Sequence, residues 1–168
     1  AAVMGAAIQG CSTIILVEPI AARRAIAQDL GATHVIDPAT AGDLTEALRA
    51  ILPAGVDYAF DTTGNVGVIE AGLAALGSHG AIGLVGVPKQ ADASFSVNIA
   101  ALMTPGLRII GIIEGDSDPQ DFIPELLAHH AAGRFPFDRL ITTFALADIN
   151  KAVAAQAKGE CIKVVLIP

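Results

Sequence analysis

Few residues in this chain have the type and placement to do chemistry, and most of them lie where an apolar or β-branched run ends. Glu18 closes the run 13–18, and Pro19 opens a helical segment behind it. In a parallel sheet ligands bind at the carboxyl ends of the strands, where a carboxylate can accept hydrogen bonds from both hydroxyls of a ribose. The same charge repels a 2′-phosphate, while Arg23 and Arg24, one turn later, would soften that repulsion. The competing reading is a solvated acid at a strand end. Thr62, Thr63 and Gly64 follow the run Val56–Asp61, where a turn and a helix N-cap belong and where glycine lets a ligand come close to the backbone. Val85, Gly86 and Val87 end the run 81–87, and by spacing alone they read as core.

Metal and thiol chemistry have little to stand on. Cys11 and Cys161 are 150 positions apart and belong to no CxxC or Cys/His cluster. His34, His79, His129 and His130 are scattered, and adjacent histidines on a helix cannot face one site. No metal ligand and no catalytic residue is expected in this chain.

The elements that must position these residues alternate short β-branched runs with amphipathic helical segments, the mark of a parallel sheet covered on both faces. After the strand at 13–18, a helix begins at Pro19 and presents Ile20, Ala25, Ile26 and Leu30 on one side, with Gly31 at its C-cap. A strand at 33–36 follows. Asp43 and Glu46 have capping-box spacing before the stripe Leu44, Leu48, Ile51 and Leu52. Val56–Asp61 reads as a buried strand, Gly64 or Asn65 opens a helix through Leu76, and 81–87 is the fourth strand. Further on come a turn at 98–103, a strand at 107–113 and a helix at 121–132 with Pro124 in its first turn. An extended piece at 140–144, a helix at 149–158 capped by Gly159 and a strand at 162–167 complete the chain.

Composition narrows the function classes. The chain has 168 residues, 53% of them hydrophobic, which suits one full core. With 17 acidic against 10 basic residues its net charge is -7, and no basic face tracks a phosphate backbone, so nucleic-acid binding is not expected. No apolar stretch approaches the roughly 20 residues of a membrane helix. Residues 1–9 have no basic flank and no cleavage site, so no signal peptide is read and a cytoplasmic location is expected.

The opening stretch AAVMGAAIQGCSTIILVEPIAARRAIAQDLGATHVIDP resembles the segment that follows the GxGxxG loop in medium-chain, zinc-dependent alcohol dehydrogenases. The likeness continues through VDYAFDTTGN, GAIGLVGVP, LRIIGIIEG and the tail GRFPFDRLITTF…INKAVAAQAKGECIKVVLIP. Within that family, EGDSDPQDFIP and GRFPFDRL are most similar to aryl- and benzyl-alcohol dehydrogenases.

The resemblance implies an α/β fold, a Rossmann-type doubly wound parallel sheet. It places the last fingerprint glycine about two residues before Ala1, so that the first strand and glycine loop precede this chain. Residues 1–113 are then a partial NAD-binding domain, and 114–168 a segment returning toward a catalytic domain. The implied contacts are Glu18 and the basic Arg23 on the adenosine ribose, Thr62, Thr63 and Gly64 on the adenine side, and Val85, Gly86 and Val87 beside the nicotinamide. Glu114 follows through its main-chain N–H, and Lys163 takes the place of a basic residue on the pyrophosphate, with a surface lysine as the alternative.

The parent enzyme is thereby expected to transfer a hydride between NAD and a primary, aromatic alcohol or aldehyde, as a homodimer or homotetramer. Its zinc ligands would lie outside this chain. Taken alone, the chain is expected to be inactive, because hydride transfer needs that zinc and cofactor binding needs the glycine loop. The alternatives are a zinc-free quinone or enoyl reductase of the same superfamily and a non-enzymatic nucleotide-binding module.

Overall fold

The computed structural model describes all 168 residues, Ala1–Pro168. In chain order the elements are α1 (Ala2–Ile8), β1 (Ile15–Val17), α2 (Ala21–Asp29), β2 (His34–Ile36), α3 (Leu44–Ile51), β3 (Val56–Asp61), α4 (Val66–Ala74) and β4 (Leu76–Leu84). They continue as α5 (Ile99–Met103), β5 (Arg108–Gly111), α6 (Pro119–Ala131), β6 (Ile141–Ala145), α7 (Ile149–Ala157) and β7 (Lys163–Ile167). Every strand pairing is parallel, as the alternation of strands and helices requires. This is the Rossmann-like α/β pattern. No helix is long and apolar enough to cross a membrane.

The chain forms two compact units: 1–37 with 118–168, and 38–117. In the first, β1 pairs with β2 and β6 pairs with β7. Its buried residues include Met4, Ile14, Ala27, Ala32, Ile36, Ala152 and Cys161. In the second, the sheet order is β3-β4-β5, with Ile69 of α4 packed on Leu76 and Ile82 of β4 at the centre of the core. Leu73, Phe95, Leu107 and Ile109 close around that centre.

Local chemistry accounts for the helix starts. Asp43 precedes α3 in an extended conformation, and its carboxylate accepts the Glu46 N–H at 2.9 Å. Asn65 does the same for α4, accepting from Gly67 and Val68. Replacing Asp43 with alanine leaves that first-turn donor to water and should destabilise the protein by about 1 kcal/mol. A urea unfolding midpoint that does not move would show the cap to be dispensable.

Several elements differ from the sequence reading. β1 is only Ile15–Val17, and α2 starts at Ala21 behind an Ile20 cap instead of at Pro19. α4 stops at Ala74 because Leu76 belongs to the next strand, and β3, expected to be buried, exposes Tyr58 and Phe60. The fourth strand begins at Leu76, not 81, because Leu76 pairs with Val56 and Ala81 with Tyr58 across a register shift. Inside that irregularity His79 takes φ +61°, and its N–H donates to the Pro105 carbonyl at 2.7 Å. The strand ends at Leu84, so 85–87 lies beyond it. The strand near 107–113 is the shorter Arg108–Gly111, although the Ile112 N–H still reaches the Leu84 carbonyl. Helix α6 starts at Pro119, whose ring suits the first helical position, under an Asp118 cap that accepts from Gln120. Pro124 is therefore past the first turn, and its missing N–H leaves the Gln120 carbonyl without the usual helical donor.

Candidate functional site

In the first unit Glu18 stands one residue past β1. Its N–H continues the ladder to the Ile36 carbonyl at 3.1 Å, and its Oε1 accepts the Ile20 N–H at 2.9 Å. The backbone thus holds the carboxylate at the carboxyl end of the strand. Oε2 stands 3.9 Å from an Arg23 guanidinium nitrogen, a loose pair worth about 0–1 kcal/mol at most.

Arg24, not Arg23, organises this corner. It donates to the carbonyls of Glu18 at 2.7 Å and Pro19 at 2.8 Å, and pairs with Asp37 at 2.9 Å. Arg23 instead borders a cleft of about 220 Å³ with Ile26, Arg139 and Glu160, and its Nε has no hydrogen-bond partner. That cleft is smaller than the roughly 300–1,000 Å³ of small-molecule sites. Lys163 begins β7 opposite Ile141 and is exposed.

In the second unit the turns after β3, β4 and β5 follow neighbouring parallel strands at their carboxyl ends, where α/β sheets bind ligands. The first two turns form one backbone assembly. Both Val85 and Gly86 donate their N–H to the Asp61 carbonyl, each at 3.0 Å. Gly64 has φ +63°, and a Cβ there would stand 2.5 Å from the Val87 carbonyl carbon and the Pro88 nitrogen. A Cβ on Gly86 would overlap the backbone nitrogens of Thr63 and Gly64 and stand 2.6 Å from the Thr62 carbonyl carbon. Glycine is required at both places because the two turns touch main chain to main chain.

Asp61, which the sequence reading did not single out, lies beneath this assembly and is 5% exposed. Its Oδ1 accepts from the Thr63 N–H at 3.1 Å and the Thr63 hydroxyl at 2.7 Å, and its Oδ2 accepts from the Gly64 N–H at 2.8 Å. Thr62 and Thr63 are exposed above it. Val85 and Val87 are 39% and 85% exposed, so these valines present apolar surface at the strand end instead of filling the core. Glu114 opens the turn after β5 in a left-handed conformation, φ +50°, and its carbonyl accepts the Ser117 hydroxyl at 3.2 Å.

The structure brings Thr62, Thr63 and Gly64 together with Val85, Gly86 and Val87, and Glu18 together with Arg23. Glu18, Arg23 and Lys163 belong to one unit; the 62–64 and 85–87 turns and Glu114 belong to the other. The larger cleft of the second unit, about 600 Å³, is lined at β4 by Leu76, Gly77 and Ser78, the opposite end of that strand from 85–87. No group of three or more His, Cys, Asp or Glu side chains is placed to hold a metal ion.

Comparison with known proteins places the chain in a family. The family model for "Zinc-binding dehydrogenase" matches residues 1–131. A geraniol dehydrogenase of Castellaniella defragrans is 43% identical over 166 residues, which cover 99% of this chain and 44% of that protein. The crystal structure of benzyl alcohol dehydrogenase from Acinetobacter calcoaceticus superposes with a TM-score of 0.93 at 36% identity, over 98% of this chain and 45% of that one. A putative zinc-binding dehydrogenase from Sinorhizobium meliloti, solved bound to NADP, gives a TM-score of 0.85 at 26% identity over 99% of this chain and 48% of that one. The chain thus spans less than half the length of each of these three proteins. With a family match over 131 residues, this chain belongs to the zinc-binding dehydrogenase family.

Proposed function

We propose that this chain is the NAD-binding part of an alcohol dehydrogenase that transfers a hydride between NAD and a primary, aromatic alcohol or aldehyde. The observation that carries the reading is the Glu18 carboxylate, held at the carboxyl end of β1 by the Ile20 N–H. A fixed carboxylate at that position accepts ribose hydroxyls and repels a 2′-phosphate. The glycine-lined turns at 62–64 and 85–87 fit a dinucleotide because their main chain can be approached closely and their valines offer apolar contact. Glu114 would contribute a main-chain N–H, and Lys163 a point charge toward the pyrophosphate. Bound NAD supplies the hydride acceptor; these residues bind and orient it.

The residues present do not suit zinc, since no set of donors converges. The similarity to benzyl alcohol dehydrogenase supports an aromatic substrate, and the geraniol dehydrogenase a primary alcohol.

Steady-state kinetics with both cofactors, in a full-length protein carrying this sequence, test the NAD reading. Unit charges at contact distance repel by about 1–4 kcal/mol. Catalytic efficiency should therefore favour NAD by about tenfold or more, and Glu18→Gly should narrow the gap. Higher efficiency with NADP, the ligand of the Sinorhizobium protein, would overturn it.

We also read the full-length protein as a cytoplasmic homodimer or homotetramer. Strand β5 is an edge of its sheet, and Ile110 and Ile113 are 42% and 77% exposed. Sedimentation at micromolar concentration should give at least a dimer, and a monomer would count against the reading.

A further inference from the structure

We propose that Asp61 is a positioning residue that fixes the 62–64 and 85–87 turns as one rigid plate, so that both ends of the cofactor are set by a single buried residue, through its carboxylate on one side and its main-chain carbonyl on the other. The inference rests on the reading that these turns contact the dinucleotide. It goes beyond that reading by assigning a role to a residue that itself touches no ligand.

The case is one of connectivity. The Asp61 carboxylate takes three donors from Thr63 and Gly64, and the Asp61 carbonyl takes two more from Val85 and Gly86. One residue therefore holds the turn after its own strand through its side chain and the turn after the next strand through its main chain. The Thr63 hydroxyl that donates to Asp61 also accepts the Asn65 N–H at 3.0 Å, and Asn65 caps α4. The start of the helix is thereby tied to the same carboxylate.

The assembly cannot slide, because the Gly64 and Gly86 backbones are in direct apposition. Both N–H groups that could have turned toward a ligand anion at 63 and 64 are already held by Asp61, so this turn offers no phosphate cradle. Its part is to set height and orientation.

Asparagine at 61 keeps the shape but sets an NH₂ donor or a rearranged oxygen against the Gly64 N–H, since an amide cannot accept on both sides. The turn must then shift, and the shift passes to 85–87 through the glycine contact. In the full-length protein, Asp61→Asn should raise the Kd for NADH about tenfold or more and lower kcat at saturating cofactor about tenfold, with the alcohol KM within about threefold of the original. A residue that served only stability would lower the unfolding midpoint and leave Kd and kcat where they were. Asp61→Ser, whose single and shorter-reaching oxygen cannot serve both Thr63 and Gly64, is the second variant and should show an effect at least as large as that of Asp61→Asn.

Hydrogen exchange separates the proposal from the reading beneath it. In the unaltered protein NADH should protect the amides of 62–64 and 85–87. Absence of that protection overturns the assignment of these turns to the cofactor. Protection in the unaltered protein, with Kd and kcat unchanged in folded Asp61→Asn and Asp61→Ser, overturns the positioning role alone.

Discussion

Replacing Gly86 with alanine is expected to destabilise the protein by about 3 kcal/mol or more, the upper range for inserting a methyl group where nothing can give way. The added carbon would overlap the backbone nitrogens of Thr63 and Gly64. A clash with a flexible side chain can be relieved by a rotamer change; here the obstacle is main chain. The turn it meets is itself pinned by three hydrogen bonds to a buried carboxylate. Relief therefore means prying the 85–87 segment off the Asp61 carbonyl, which frees two N–H groups. Against a typical total of about 5–15 kcal/mol, that is a large share. Denaturant unfolding of the variant reads it directly, and an unaltered midpoint would show that the two turns are not in the contact described.

A second large effect is expected at Ile82. It is 1% exposed in the middle strand of the β3-β4-β5 sheet and packs with Ile69 and Leu76 at the centre of that unit's core. The Ile82 Cδ1 also stands 3.3 Å from where a Cβ on Gly72 would be, so α4 comes close to the sheet there. Truncation to alanine removes buried apolar surface and leaves a cavity that the surrounding strands cannot readily close. The cost should be about 2–5 kcal/mol. Ile82→Val should cost only about 0.5–1.5 kcal/mol, since a single methylene is lost. A loss below about 1 kcal/mol for the alanine variant would mean that the site is not a close-packed core.

The sequence made much of this fold legible where a signal was local. Val56–Asp61 was readable as a strand because Val56, Tyr58 and Phe60 favour extended backbone between Gly55 and the Thr62–Thr63–Gly64 turn residues, although Tyr58 and Phe60 are exposed, not buried as the sequence suggests. The start of α3 was readable because Asp43 and Glu46 have the spacing that a cap needs. Strand β4 was legible only in part. Gly77, Ser78, His79 and Gly80 resemble a turn, and what makes them strand is the pairing of Leu76 with Val56, a nonlocal fact. Helix phase hid the division of labour between Arg23 and Arg24, since adjacent residues point to different sides and nothing in the composition says which faces the β1 corner.

Asp61 was missed because a single aspartate at a strand end is an ordinary residue until its neighbours fold back on it. The available signal was the pattern Asp-Thr-Thr-Gly, in which an aspartate can accept from the backbone two and three residues on. The family resemblance implies that the turns face a ligand, whereas their dependence on a buried carboxylate belongs to the three-dimensional structure.

The central claim is that this chain binds NAD in preference to NADP, with Glu18 as the selecting carboxylate. Calorimetric titration of NADH and NADPH into a full-length protein carrying this sequence, and into its Glu18→Gly variant, tests it most directly. The account predicts saturable NADH binding, NADPH weaker by about tenfold or more, and a smaller difference once the carboxylate is removed. Equal or tighter binding of NADPH by the unaltered protein, or no binding of either nucleotide, would contradict it.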